Sequence, residues 1–179
     1  EFKEFIMTLY YIRRINPLRW NGDLPKDGNY LSLGTDGITN CCKTTDNELS
    51  IWLTDSKNPE SENNKKVLAV IAAGSEKPSK IDFIFISEDE FNERNLTLKE
   101  TPGKTAVSSM RYLHRDIENL DVKKLAILGM LIHEKANDDN EIHRVSTSKI
   151  KQYVRHAFKD GTPQAEEIKS IDGWSKLYD

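Results

Sequence analysis

Residues 49–86 hold three apolar runs: LSIWL at 49–53, VLAVIAA at 67–73 and IDFIFI at 81–86. The runs are rich in Ile, Val, Phe and Trp, and Asp, Asn, Gly, Pro and Ser residues separate them, a pattern typical of buried β-strands. It therefore predicts three neighbouring strands. The run at 67–73 has no period that separates a strand from a helix, so both remain open there, and we favour the strand.

Three other parts of the first half have simpler patterns. An apolar segment at 8–15 predicts a first strand, which the Asn-Pro pair at 16–17 ends. The segment 16–30 contains Pro and Gly residues and is expected to be a loop of turns. The segment 55–65 lacks large apolar side chains and is expected to be an exposed excursion. Ser87 followed by carboxylates predicts the start of a short helix that reaches about residue 95.

The second half is expected to be helical. Apolar residues recur at steps of three and four in 107–120 and occupy nearly the whole circumference of a helix in 122–133. In 149–159, behind Ser146, they lie along one helical face. A last helix is expected from Pro163, a favoured first helical residue. Strands that precede helices predict an α+β fold, a mainly antiparallel or mixed sheet from the N-terminal half covered by helices from the C-terminal half.

Length and composition favour one domain. A chain of 179 residues suits a single core, and 37% hydrophobic with 31% charged residues is too apolar for a disordered protein. We expect residues 7–179 to form the single α+β domain and 1–6, which precede Met7, to be a cloning remnant. No apolar stretch reaches the roughly 18 residues of a membrane span and no export signal is visible, so we expect no membrane contact and a cytoplasmic location.

The cysteine and histidine patterns predict neither a disulfide framework nor a metal site. Cys41 and Cys42 are adjacent, so a bond between them would close a strained ring without linking distant segments. The four histidines lack the spacing that places two imidazoles on one helical face. We therefore expect reduced thiols, no metal and no cofactor. The Asn- and Lys-rich, Cys-poor composition is compatible with a bacterial or phage source.

Residues 114–116 (HRD) have the letters of a kinase catalytic loop, but the other kinase motifs are missing. On the expected helix these residues would form a solvated, charged face. His114 is then a candidate general base only if it lines a cleft.

A second catalytic pattern combines Arg13, the hydroxyl triplet 146–148 (STS), and Gln164 with Glu166. ADP-ribosyltransferases use such residue types for phosphate binding, for strand support and for stabilising an oxocarbenium-like ribose. In this chain the triplet stands at an expected helix start, whereas those enzymes place it on a strand. An ADP-ribosyltransferase-like enzyme is therefore kept as one alternative function.

Two groups of residues are candidates for binding macromolecules. Arg and Trp side chains are common in protein interfaces, and this composition occurs at Arg13, Arg14, Arg19 and Trp20. Basic residues recur about every fourth position opposite the apolar stripe of the expected helix 149–159, a face that can contact phosphates: Lys149, Lys151, Arg155 and Lys159.

Net charge does not favour wholesale binding of a polyanion, because the chain carries −3 at neutral pH. We therefore expect a non-catalytic interaction module, a subunit or adaptor with a protein partner, in a cytoplasmic assembly. Nucleic-acid binding through 149–159 is the first alternative, and the enzyme the second. The sequence leaves the partner and the oligomeric state open.

Overall fold

A computed structural model describes residues 8–23, 29, 32–103 and 105–179. The expected cloning remnant at 1–6, and residues 24–28 and 30 of the expected loop, lie outside the described residues. The strands are β1 Tyr10–Ile15, β2 Leu49–Thr54, β3 Ile81–Ser87, β4 Thr97–Glu100, β5 His114–Glu118 and β6 His143–Val145. The α-helices are α1 Thr35–Cys41, α2 Glu62–Ala73, α3 Glu88–Glu93, α4 Val122–Ala136, α5 Thr147–Ala157 and α6 Pro163–Lys169.

The six strands form one sheet in the order β4-β5-β2-β1-β3-β6, and every neighbouring pair is antiparallel. Most of the strand residues come from the N-terminal half, while α4, α5 and α6 come from the C-terminal half. This confirms the α+β fold and narrows the predicted mainly antiparallel or mixed sheet to an antiparallel one. The strands β4 and β6, which the sequence did not predict, form the two edges.

Helices cover both faces of the sheet. On one face Ile12, Phe83 and Phe85 pack against α2, α5 and α6. On the other face Tyr11, Ile84 and Ile86 pack against α1, α3 and α4. Successive residues of β1 and β3 alternate between these two cores, because neighbouring side chains on a strand point to opposite faces. The central strands are consequently buried on both sides.

Local signals set the starts of the helices. The side chains of Ser61, Ser87, Asp121, Ser146 and Thr162 each accept a hydrogen bond from a backbone N–H of the helix that follows. Such caps satisfy backbone donors that have no partner within the helix. The structure confirms four helices that the sequence predicts. They are the short helix behind Ser87, the buried helix at 122–133, the helix behind Ser146 and the last helix from Pro163, which correspond to α3, α4, α5 and α6.

Two expected elements are wrong. Residues 67–73, predicted as a strand, are the buried end of α2, which begins at Glu62 inside the expected exposed excursion 55–65. The run lacks a polar stripe because α2 lies between the sheet and α5. Residues 107–120, predicted as one amphipathic helix, form a 3₁₀ helix at Ser108–Leu113 followed by β5. The prediction failed for two reasons. A step of three residues also suits a 3₁₀ helix, and β5 depends on pairing with β2 and β4, which no local pattern reveals.

Candidate functional site

A cleft of about 540 Å³ opens at one end of the central strands, where β1 ends and β3 begins. It contains four basic side chains and one acidic side chain, in a protein whose net charge is −3. The residues that line this basic cleft are Arg13, Arg14, Ile15, Asn16, Leu18, Asn40, Cys41, Lys80, Asp82 and Arg144.

Arg13 lies between the cleft and the backbone of its neighbours. Its guanidinium donates from Nη1 to the carbonyl oxygen of Ser50, over 2.6 Å, and from Nη2 to the carbonyl oxygen of Cys41. Burial lowers the pKa of Arg13 from its ordinary value, because a low-dielectric environment disfavours the charged form. Its Nε is buried and has no hydrogen-bond partner among the described residues. Arg13 is therefore a held, partly desolvated cation.

Arg14 follows Arg13 on β1, whereas Lys80 and Arg144 come from other parts of the chain. Arg14 is exposed, and Lys80 immediately precedes β3. Asp82 is 8% exposed; its Oδ1 lies 2.5 Å from Nε of Arg144, and its Oδ2 lies 3.9 Å from Nζ of Lys80. Pairing of β6 with β3 places Arg144 directly opposite Asp82. Asp82 thus holds Arg144 by a hydrogen bond and lies near Lys80, and one carboxylate among four cations leaves an excess of positive charge in the cleft.

A 3₁₀ turn at Pro17–Arg19 forms part of the cleft rim. Leu18 is 73% exposed there, and Arg19 is also exposed. Trp20, by contrast, is 2% exposed. Its indole N–H donates to Sγ of Cys41 over 3.3 Å, so the ring attaches the turn to α1. The prediction that Trp20 contacts a partner at the surface is therefore corrected: its buried side chain holds the turn.

Three of the four predicted protein-binding residues lie in the basic cleft or at its rim. Arg13 and Arg14 line the cleft, and Arg19 follows Leu18 at its rim. Sequence reasoning missed Lys80, Asp82 and Arg144, because only the pairing of β3 with β1 and β6 brings them to the same end of the sheet. The alternation of polar and apolar residues at 80–83 was the one sequence signal for Lys80 and Asp82.

The basic residues of the 149–159 region remain on the surface, opposite the buried residues Ile150, Tyr153 and Val154 of α5. Lys149 lies 3.6 Å from a carboxylate oxygen of Glu60. The Nε of Arg155 donates to the carbonyl oxygen of Leu177 over 2.6 Å. The predicted helical face is shortened, because α5 ends at Ala157 and Lys159 lies beyond it. Lys151 and Lys159 have no ion pair among the described residues.

The residues of the ribosyltransferase-like pattern have separate local partners. Ser146 caps α5 by accepting from the backbone N–H of Lys149, and Glu166 lies 3.0 Å from Lys169 on α6. Arg13 lines the basic cleft, whose lining includes neither Ser146 nor Glu166. The pattern therefore does not form one site around that cleft.

Residues 114–116 (HRD) belong to β5 and not to a helix, which corrects the expected solvated face. His114 and Asp116 are 6% and 9% exposed and lie on the same side of the strand. Both line a second cavity of about 340 Å³, together with Ser50 and Pro102. The condition set for His114, that it lines a cleft, is met. The alternation of a strand, applied to 114–118, would have paired these two side chains.

Among the residues that the structure describes, no group of three or more His, Cys, Asp or Glu side chains is arranged to hold a metal ion. None of the described helices combines the length and the apolar composition that a membrane span needs. Cys41 and Cys42 are both buried, free thiols, and burial raises the pKa of Cys42 to about 12. Comparison with known proteins gives no further information: no protein-family model, no curated protein and no solved structure matches this chain.

Proposed function

We propose that this protein is a non-catalytic interaction module that binds an acidic segment of a partner protein in the basic cleft. The observation that carries the proposal is that Arg13, Arg14, Lys80 and Arg144 line one cleft with a single carboxylate, Asp82, in a protein of net negative charge. Clustered like charges repel one another and raise the free energy of the unliganded state. A ligand rich in carboxylates relieves this repulsion.

The cleft also has features that favour a polypeptide ligand. Leu18 exposes apolar surface at the rim, next to the charged lining. An apolar contact surrounded by polar groups is typical of protein interfaces, in which a few buried contacts carry most of the binding energy. A nucleic-acid backbone would use the cations but not Leu18, since phosphate contacts are electrostatic.

The cations differ in how they are held, which suggests separate roles. Arg13 is fixed by two backbone carbonyl groups and Arg144 by Asp82. Preorganised cations lose little side-chain entropy when a ligand binds. Arg14 and Lys80 are exposed and form no hydrogen bond to a carboxylate among the described residues, so they steer an acidic ligand toward the cleft. We place this module in a cytoplasmic assembly, of bacterial or phage type, as part of the same proposal.

Fluorescence anisotropy with a labelled peptide of Asp and Glu around a central Leu tests the proposal. The double substitution Arg14→Glu with Lys80→Glu should weaken binding about tenfold or more, because each reversal replaces attraction by repulsion. Lys151→Glu with Lys159→Glu is the matched control, since it changes the net charge equally on an exposed surface elsewhere. Circular dichroism verifies that both variants are folded.

A peptide with Asn and Gln in place of Asp and Glu should bind much more weakly, and salt should reduce the affinity of the acidic peptide. Equal losses in the two double variants would contradict the assignment to the cleft. Tighter binding of single-stranded oligothymidine, lost in the Lys151 and Lys159 variant, would instead favour the nucleic-acid alternative around residues 149–159. Failure of wild-type protein to bind the acidic peptide overturns the proposed function.

A further inference from the structure

The second cavity contains a polar cluster that the proposed function does not use. Its members are Ser50 on β2, His114 and Asp116 on β5, and Thr101 between β4 and the 3₁₀ helix. Pairing of β2 with β5 places Ser50 directly opposite Asp116. Ser50, His114 and Asp116 line the cavity; Ser50 is exposed, whereas His114 and Asp116 are at least nine-tenths buried and form its floor.

The hydrogen bonds of the cluster determine which atoms can accept a donor from a ligand. The Thr101 hydroxyl donates to Oδ2 of Asp116 over 2.5 Å. Nδ1 of His114 lies 3.1 Å from both the carbonyl and the hydroxyl oxygen of Thr101. A carbonyl oxygen only accepts and the hydroxyl has used its one proton, so Nδ1 carries a hydrogen. In the neutral imidazole, Nε2 is therefore an acceptor.

Two acceptors of this cluster face each other without a donor between them. Nε2 of His114 lies 3.7 Å from Oδ1 of Asp116, which is too long for a hydrogen bond. No other described residue forms a hydrogen bond with Nε2. Ser50 donates to Oδ1 of Asp116 over 3.3 Å, and its own lone pairs remain available. Nε2 of His114 and Oγ of Ser50 thus both lie within 4 Å of Oδ1 of Asp116, close enough for the three acceptors to share one donor group.

Charge favours a cationic donor at this position. Asp116 forms no ion pair with a Lys or Arg among the described residues, although Arg13 and Lys43 line the same cavity. Arg13 instead donates to backbone carbonyl groups. A carboxylate that is buried without a cation costs free energy, even when hydroxyl groups donate to it. A bound cation with several N–H donors would remove this cost.

We propose that the second cavity binds a small molecule through a primary ammonium group, which donates to Oδ1 of Asp116, Nε2 of His114 and Oγ of Ser50. A primary ammonium has three donors on one nitrogen, which matches three acceptors around one space. Arg13 lines both this cavity and the basic cleft, but the three acceptors do not line the basic cleft, so the proposal does not rest on the proposed function. Its size of about 340 Å³ is at the lower end of small-molecule pockets.

Titration of the full chain with n-butylammonium chloride, followed by the histidine side-chain nitrogen signals in NMR spectra, tests this site. His114→Gln assigns the signal of His114 among the four histidines. We expect a saturable shift of its Nε2. Asp116→Asn should weaken binding about tenfold or more, since a charge-assisted hydrogen bond is lost. Glu118→Gln is the matched control, a carboxylate on the same strand that does not line the cavity.

Probes of similar size separate the ammonium group from its alkyl chain and from general salt effects. Tetramethylammonium, which lacks N–H donors, and n-butanol, which lacks charge, should both bind much more weakly. If Asp116→Asn does not fold, Ser50→Ala serves instead, with an expected loss of roughly threefold to tenfold. Equal affinity for n-butanol, equal loss in Glu118→Gln, or a shift that sodium chloride reproduces would each overturn the proposal.

Discussion

Replacement of Trp20 by Ala is the most direct test of how the rim of the basic cleft is held. Trp20 is 2% exposed, its ring lies edge-on to His133 at a centroid distance of 6.1 Å, and Asn137 donates to its carbonyl oxygen over 2.9 Å. A Cβ on Gly37 would lie 2.6 Å from the Trp20 ring, so the ring packs directly on α1. The side chain therefore joins the turn to α1 and α4.

The expected loss of stability follows from this burial. An aromatic side chain of this kind buries about 150–250 Å². At about 25 cal/mol per Å² this burial corresponds to roughly 4–6 kcal/mol, an upper estimate because the unfolded chain is not fully extended. Truncation of large aromatic residues to Ala usually costs about 3–5 kcal/mol. Because whole domains are stable by about 5–15 kcal/mol, Trp20→Ala should bring the protein close to unfolding.

Urea unfolding, followed by circular dichroism at neutral pH, measures this loss. Trp20→Phe keeps a ring but removes the N–H that donates to Cys41, and should cost about 1–2 kcal/mol. Leu18→Ala is the control on the same turn, and should change stability by less than about 0.5 kcal/mol because Leu18 is exposed. It should nevertheless weaken binding of the acidic peptide. A cost below about 1 kcal/mol for Trp20→Ala would refute the packing role of Trp20.

Three further predictions concern buried ionisable groups. Lys135 is 6% exposed and lies 2.8 Å from a carboxylate oxygen of Glu90. Lys135→Met should lower the free energy of unfolding of the protein by roughly 2–4 kcal/mol, whereas Lys123→Met, at an exposed position, should lower it by almost nothing. Chemical denaturation of the two variants compares these effects. Burial lowers the pKa of His143 below 6.5, so the folded state binds fewer protons than the unfolded state and this residue's contribution to stability should fall as the pH drops below about 6.5. The unfolding free energy of wild type minus that of His143→Leu should decrease from pH 7 to pH 5, and a constant value would contradict this. Because burial raises the pKa of the Cys42 thiol to about 12, iodoacetamide at pH 8 should label it slowly in native protein and quickly in denaturant, and mass spectrometry that finds equal rates would argue against this burial.

Much of the fold could be predicted where a local signal determines it. The β3 strand is apolar at almost every position because helices cover both of its faces. Ser87 and Ser146 predict helix starts because capping involves only the next three residues. In contrast, α2 and β5 were mispredicted, since burial of α2 hides the helical period and β5 depends on strands distant in sequence.

The candidate sites were less predictable for the same reason. Arg13 and Arg14 were recognised as a local cluster, but Lys80 and Arg144 join them only through strand pairing. Likewise, the acceptors of the second cavity come from β2 and β5, whose pairing partners are more than sixty residues apart in the chain. Alternation along one strand can pair His114 with Asp116, or Lys80 with Asp82, but it cannot bring residues of different strands together.

The sequence by itself determined the α+β class, the starts of the helices behind Ser87, Asp121, Ser146 and Thr162, and the most buried strand, because these depend on interactions within a few residues. The tertiary structure alone decided that helices cover both faces of the sheet, that Trp20 points inward, and which charged side chains share a cleft. These features depend on the pairing of distant strands and on the side of the sheet that each residue occupies. A shift of one residue in that pairing would move His114 and Asp116 to the opposite face.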